Sequence, residues 1–340
     1  MLALGFNGPW DLSVSERPEP AIRPGDVLVE VIATGICGSD VHGYSGDTGR
    51  RFDGQVMGHE TVGRIREAGS DVVGLATGTL VTVNPLIPCG HCASCLAGEG
   101  QVCADQVVIG VEPSLDGAFA ELFVAPAQNV IPISEDIPVM HGALIEPLAV
   151  GYHAASRGAL SAHDRLLVIG GGPIGQAVAI GARRLGTTEI LVSEPSAPRR
   201  ELLEKLGFAT TTPEKLAASV REGLGGAATA VIDAVGVDAS IAAALENSTT
   251  RARIVLVGMG AKTMTLAPYA ISIGERELVG SYCYSEAHFR STADWVSEGH
   301  PELDLLIDKE LPLESGPEAF RSLADGSVLA NKILLVPSRN

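Results

Sequence analysis

Residues 165–186, RLLVIGGGPIGQAVAIGARRLG, constrain this chain more than any other stretch. An apolar run, Leu166 to Ile169, meets a glycine turn that opens an alanine-rich helix. Gly170, Gly172 and Gly175 make G-x-G-x-x-G at that junction. In a chain with forty glycines the spacing alone is weak, and its place between a strand and a helix gives it force. The first glycine permits a tight turn, the second lets a pyrophosphate approach the backbone, and the third lets helix and strand pack closely. Pro173 and Ile174 complete the loop, where free amides and the positive end of the helix dipole favour phosphates. The next strand, EILVSE, ends at Glu194. A carboxylate there accepts hydrogen bonds from the adenine-ribose hydroxyls and repels a 2′-phosphate, so the expected cofactor is NAD rather than NADP. Arg199 and Arg200 follow closely and temper that expectation, because a nearby arginine can accommodate the extra phosphate.

The same alternation continues downstream. A helix PRRELLEKLG, an apolar stretch within 227–236, the strand RIVLVGMG at 253–260 and ELVGSY complete a strand–helix series. Val257 and Gly258, at the glycine end of the third of these, are expected beside the cofactor. Strands alternating with helices imply a parallel, doubly wound sheet. The first 130 residues read differently. DVLVEVIA (26–33), TVGRIREAG from 61 and GTLVTVNP from 78 alternate as half-buried strands between Gly and Pro, suggesting an antiparallel, barrel-like domain. A helical HFRSTADWVSEG and a last strand KILLVP return to that first domain. The reading is therefore α/β: a mainly-β catalytic domain at 1–147 and 283–340 interrupted by a Rossmann domain at 148–282. No low-complexity linker separates them, which favours a packed cleft.

A net charge of −17 argues against nucleic acid or an anionic membrane as partner. The N-terminus lacks a basic segment followed by an apolar core, and no run of about 18 apolar residues occurs, so a cytoplasmic protein acting on a small molecule is expected.

That setting bears on CGHCASCLAGEGQVC, which gathers Cys89, Cys92, Cys95 and Cys103 within residues 89–103 out of six cysteines in all. In a reducing cytosol clustered cysteines are metal ligands or catalytic more often than disulfides. A thioredoxin-type pair would use Cys92 and Cys95 and leave the other two idle. Two-residue spacers let successive thiolates turn onto one tetrahedral ion, and Gly90, Gly98 and Gly100 supply the turns. Four sulfurs with no spare position describe a structural zinc, with redox or disulfide use as the alternative.

Cys37 in GICGSDVH, His59–Glu60 in VMGHETVG and Glu146 in ALIEPLAV form a second set: one sulfur, one nitrogen and carboxylate oxygens, suited to zinc with an exchangeable position. With these residues in view the chain resembles the zinc-dependent medium-chain alcohol and polyol dehydrogenases. The resemblance runs over nearly the whole chain and rests on GICGSDVH, GHE, the four-cysteine lobe, EPLAVGYHA and VIGGGPIG in that order. It is strongest to sorbitol dehydrogenase and its relatives acting on sugar alcohols, threonine and vicinal diols.

The resemblance implies a GroES-like catalytic domain and two zinc ions, one catalytic and one structural. It implies Cys37, His59 and Glu146 as catalytic zinc ligands, with Glu60 able to bind the metal or sit behind it. Asp40 matches the carboxylate that orients the zinc-bound imidazole, and Ser39 and His42 match a proton relay. The implied reaction is hydride transfer from a secondary alcohol to NAD, giving the ketone, in a dimer or tetramer that pairs edge strands of the nucleotide domain. Two departures touch the substrate: Gly43 stands where sorbitol dehydrogenases carry tyrosine, with Tyr44 one further, and Cys283–Tyr284 replace an Arg-Tyr pair. Arg50 and Arg51 lie in the loop between Cys37 and His59, where relatives line the substrate entrance. They raise the expectation of an anionic alcohol, against a solvated charge pair. A threonine-dehydrogenase-like amino-alcohol oxidation and a non-catalytic zinc- and NAD-binding protein remain as alternatives.

Overall fold

The computed structural model describes residues 1–112 and 115–338. The chain divides into two compact units, Met1–Glu146 with Ser285–Asn340, and Pro147–Tyr284.

The first unit is built on the ten-residue strand Asp26–Gly35, whose apolar positions are buried on both sides. It pairs antiparallel with Glu60–Ala68, Leu122–Pro126 and Ile333–Val336. Leu80–Val83 and then Val130–Pro132 extend the sheet on one side, and Lys309–Pro312 joins Ile333–Val336 in its parallel pair on the other. Its seven strands therefore form a mainly antiparallel sheet, and among the described residues the two ends of its order do not hydrogen-bond to each other. One core lies around Val27, Val29, Val81 and Phe123, another around Phe119, Phe320, Leu4 and Leu335. Lys332 stands immediately ahead of Ile333–Val336, so the last strand is one residue shorter at that end than the run KILLVP suggests.

The second unit holds six parallel strands. In spatial order they are Ala209–Thr211, Glu189–Ser193, Arg165–Ile169, Ala228–Asp233, Ser248–Leu256 and Glu277–Gly280. The chain order is 3-2-1-4-5-6, that of a dinucleotide-binding sheet. Leu166, Leu167 and Val168 have no solvent exposure, and each such side chain contributes about 1.5–3 kcal/mol by burial. Two details differ from the sequence reading. Ala209–Thr211, too short and polar to carry an apolar signal, is one of the two edge strands, and RIVLVGMG leaves the sheet after Leu256.

Candidate metal centres and cofactor loop

Strand register assembles the first centre. Gly35 pairs with Glu60, so Cys37, two residues on, comes beside His59, one residue back. Gly58, at φ +100, allows the turn into His59, and a side chain there would press on the Phe119 backbone. The donor atoms of Cys37, His59 and Glu60 all lie within 4.8 Å of one another. One sulfur, one nitrogen and one carboxylate oxygen at that spacing fit a single zinc ion with a position to spare.

Asp40, wholly buried in the first turns of Gly38–Tyr44, ties the centre together. Its Oδ2 accepts the Cys37 amide at 3.3 Å, and its Oδ1 faces His59 Nδ1 at 3.5 Å and the Arg51 guanidinium at 3.1 Å. With Nδ1 turned to Asp40, Nε2 is the His59 nitrogen left for a ligand. Burial drives the Asp40 carboxyl up, but His59 and Arg51 together hold it below the usual carboxylate range. Burial lowers the His59 imidazole, and Asp40 and Cys37 overcome this to raise it well above its usual value.

Two buried cations stand behind these groups. Lys332 Nζ donates to Glu60 Oε2 at 2.5 Å and to the Ile36 carbonyl at 3.3 Å. Burial pulls the Lys332 ammonium down, yet Glu60, Cys37 and Glu146 carry it above its ordinary value. The second cation corrects an expectation. Arg51 does not line an entrance: its side chain is 3% exposed and donates to Asp40 Oδ1, to the Ser39 carbonyl and to the Arg50 carbonyl. A Cβ on Gly43 would stand 2.8 Å from Arg51 Cγ and Nε, so the missing tyrosine makes room for an inward arginine. Arg50 points outward and pairs with Glu112 at 3.5 Å.

Glu146, in the first turn of Ile145–Arg157, is buried but lies outside the three-residue group. Ser39 and His42 are one turn apart on Gly38–Tyr44, with the His42 side chain 62% exposed and its Nδ1 at 3.7 Å from Asp47. Lys332 escaped the sequence reading. A lysine directly ahead of a wholly apolar strand was the available signal.

In the lobe, Cys92 and Cys95 sulfurs lie 3.5 Å apart and those of Cys89 and Cys95 3.8 Å apart, and all four donors fall within 4.8 Å. A tetrahedral ion with Zn–S bonds of about 2.3 Å separates its sulfurs by about 3.8 Å, whereas a disulfide needs about 2.05 Å. The set fits zinc. Amides of His91 and Cys92 draw the Cys89 thiol down to about 6, while burial and the adjacent Cys92 thiol push Cys95 up to about 12. Four sulfurs this close repel one another as thiolates, and a cation among them offsets that repulsion.

In the second unit, Gly170 takes φ +94 and a side chain there would meet Val235. Gly172 caps the helix Pro173–Arg184, and the Arg199 guanidinium, at 3.6 Å, is the nearest group to where its Cβ would be. A Cβ on Gly175 would collide with the Gly170 carbonyl, so helix and strand touch there. Ile174 lies in the first turn of that helix. Glu194 is buried, with its two oxygens accepting the Gly171 and Ser196 amides at 2.8 Å each. Arg200 turns back onto the Glu194 and Pro195 carbonyls. Val257 and Gly258 both donate to the Asp233 carbonyl, at the carboxyl end of the sheet. Asp233 itself, missed in the sequence, anchors the neighbouring loop by accepting Val235, Gly236 and Ser240.

A glycine loop on a doubly wound sheet, in a chain whose other unit carries a Cys–His–carboxylate centre, defines a metal-dependent dehydrogenase. Residues 23–135 match the alcohol dehydrogenase GroES-like domain, and residues 173–298 match the zinc-binding dehydrogenase family. The 2-dehydro-3-deoxy-L-galactonate 5-dehydrogenase of Pseudoalteromonas atlantica is 32% identical, covering 98% of this chain and 98% of its own. Sorbitol dehydrogenase of Macaca fascicularis is 29% identical over 98% of this chain and 95% of its own. A zinc-binding dehydrogenase of Sinorhizobium meliloti, solved with NADP, superposes with a TM-score of 0.91 at 29% identity, covering 99% of each chain. The chain belongs to the zinc-dependent medium-chain polyol dehydrogenase family. It is an enzyme of zinc and a nicotinamide cofactor that oxidises secondary alcohols.

Proposed function

We propose that this enzyme oxidises one secondary hydroxyl of a polyol or sugar acid to the ketone, with NAD as the preferred cofactor. The observation that carries the reading is the Cys37, His59 and Glu60 donor group, with Asp40 fixing the ring of His59. Cys37 and His59 hold the catalytic zinc, a carboxylate from Glu60 or Glu146 completes the set, and the four lobe cysteines hold a second, structural ion. When bound, the zinc supplies Lewis acidity towards the alcohol oxygen and the nicotinamide accepts the hydride. Ser39 and His42 carry the alcohol proton outward, a role favoured by their one-turn spacing and by the exposure of His42.

The catalytic part corresponds to residues 1–147 and 283–340 and the cofactor part to 148–282. Gly170, Gly172, Pro173, Ile174 and Gly175 cradle the pyrophosphate, Arg199 lies over the loop, and Val257 and Gly258 border the cofactor. Glu194 supports NAD over NADP, because a buried carboxylate beside the loop disfavours a 2′-phosphate. Sugar-acid and polyol substrates are suggested by the names of the two relatives above, and Arg50, half exposed and paired with Glu112 at 3.5 Å, is the loop arginine on the solvent side. A homo-oligomer is favoured by the open edge strand Glu277–Gly280 and by the adjoining helix Pro268–Ile273, which exposes 80% of Tyr269 and 79% of Ile273. A reducing, cytoplasmic setting suits a lobe that works only as thiolates.

The test is reduction of NAD and NADP by the zinc-loaded enzyme on a panel of neutral polyols, sugar acids and L-threonine. Turnover on polyols or sugar acids with NAD at least about 10-fold ahead of NADP supports the proposal. Turnover on threonine alone, or NADP ahead, overturns it.

A further inference from the structure

The helix Gly38–Tyr44 ends in a way that folds the chain back over His42. Gly46, at φ +88, takes the left-handed turn that closes a helix, and its amide donates to the Gly43 carbonyl at 3.1 Å. The Asp47 amide reaches further back and donates to the His42 carbonyl, also at 3.1 Å. These paired bonds make a Schellman motif, in which the second residue past the cap lies against the third-last residue of the helix. That contact is usually apolar. Here it joins a carboxylate to an imidazole, with Asp47 Oδ2 facing His42 Nδ1 at 3.7 Å. The Ser45 hydroxyl donates to the same Asp47 oxygen at 2.6 Å and fixes its place.

We propose that Asp47 is a positioning residue for proton release: it keeps the ring hydrogen of His42 on Nδ1 and so leaves the Nε2 lone pair to accept the proton of the alcohol. The inference rests on the reading of Ser39 and His42 as the proton path. In a neutral imidazole one nitrogen donates and the other accepts, and the partner of one decides the role of the other. An ionised carboxylate only accepts, so the nitrogen that faces it is the one that carries hydrogen. On taking the alcohol proton at Nε2 the ring becomes a cation beside Asp47, and it returns to neutral by giving one proton to water. The two side chains are 62% and 70% exposed, so water is at hand and the contact adds little to stability.

The experiment uses the full-length, zinc-loaded enzyme with isotope-labelled histidine, and the His42 signals are those missing from His42→Gln. Proton–nitrogen correlation spectra of the neutral ring tell its two tautomers apart. The wild type is expected to show the Nδ1–H form, and Asp47→Ala to move the balance towards Nε2–H. Asp47→Ala is also expected to lower kcat/KM about 2–5-fold, the worth of an exposed charge contact, with metal content and melting temperature unchanged. Imidazole added to the buffer should restore that loss by taking the proton in place of the ring. In a His42→Gln background the same substitution should cost nothing more. An Nε2–H ring in the wild type, or an Nδ1–H ring that persists in Asp47→Ala, would overturn the proposal. So would a loss that imidazole does not restore and that adds to His42→Gln, which would leave Asp47 a helix-ending role alone. Wild-type kcat/KM in His42→Gln itself would instead sink the proton path beneath the proposal.

Discussion

Arg51 and Asp40 meet at 3.1 Å with almost no solvent access to either side chain, the arginine packed against the bare backbone of Gly43. Since Asp40 also holds the Cys37 amide and faces His59, the arginine is one contact removed from the Cys37 and His59 donors. Arg51→Met leaves a buried carboxylate without its cation, and a loss of about 3–5 kcal/mol in stability is expected. Zinc affinity should fall about 10–100-fold, as when other supports of a ligand are removed. Arg51→Lys should recover only part, because an ammonium lacks the second nitrogen that reaches the Arg50 carbonyl while the first holds Asp40 and the Ser39 carbonyl. Chelator competition and denaturant unfolding read both effects. Loss of kcat/KM should be equal for neutral and anionic alcohols, and a loss confined to anionic ones would return Arg51 to the substrate.

The lobe sulfurs stand at the spacing of a tetrahedral ion. Metal content per chain is therefore expected to be two zincs in the wild type and one in Cys95→Ala, with hydride transfer partly retained. One zinc in the wild type, untouched by the substitution, would mean that residues 89–103 do not bind metal.

Features fixed by near neighbours in sequence could be read there, and features fixed by register could not. The glycine loop, the lobe and the strands at 26–33 and 166–169 declare themselves within a dozen or so residues. Lys332 and Glu60 are 272 positions apart and meet only because both flank Gly35. Arg51 shared a loop with Arg50, and nothing local distinguished them. The empty side of Gly43 takes one inward and leaves the other in solvent. Whether Glu60 or Glu146 stands with Cys37 and His59 was likewise a matter of pairing, and Glu60 is the carboxylate in their donor group.

Asp164 ties the entry of the parallel sheet. It accepts the Ser161 amide and hydroxyl at 2.8 Å each and the Thr229 hydroxyl at 2.8 Å, and Thr229 in turn accepts the Arg165 amide. Partial burial raises its carboxyl, but the Ser161 and Thr229 donors outweigh that and hold it below the ordinary value. A depressed folded-state pKa means stability that is present above the unfolded value of about 3.9 and lost as pH falls through the folded one. Asp164→Ala is expected to cost about 1 kcal/mol near pH 7, a modest figure because the group is only partly buried. Urea unfolding of variant and wild type should converge as pH drops below about 4. A gap that stays constant through that range would show that the carboxylate charge is not what matters.

The same substitution at two loop glycines should have opposite signatures. At Gly172 the backbone is extended, and Arg199, at 3.6 Å, is the nearest group to an added methyl. Gly172→Ala should therefore leave the melting temperature nearly unchanged, while the methyl stands where a pyrophosphate must approach, weakening NADH binding by about 10-fold or more. At Gly175 the methyl collides with the Gly170 carbonyl, backbone against backbone, with no side chain able to yield. Gly175→Ala should lower the melting temperature by several degrees, as expected for overpacking of about 1–3 kcal/mol. Fluorescence titration with NADH beside thermal unfolding separates the two. If Gly172→Ala bound NADH as tightly as the wild type, the cofactor would not pass over this loop.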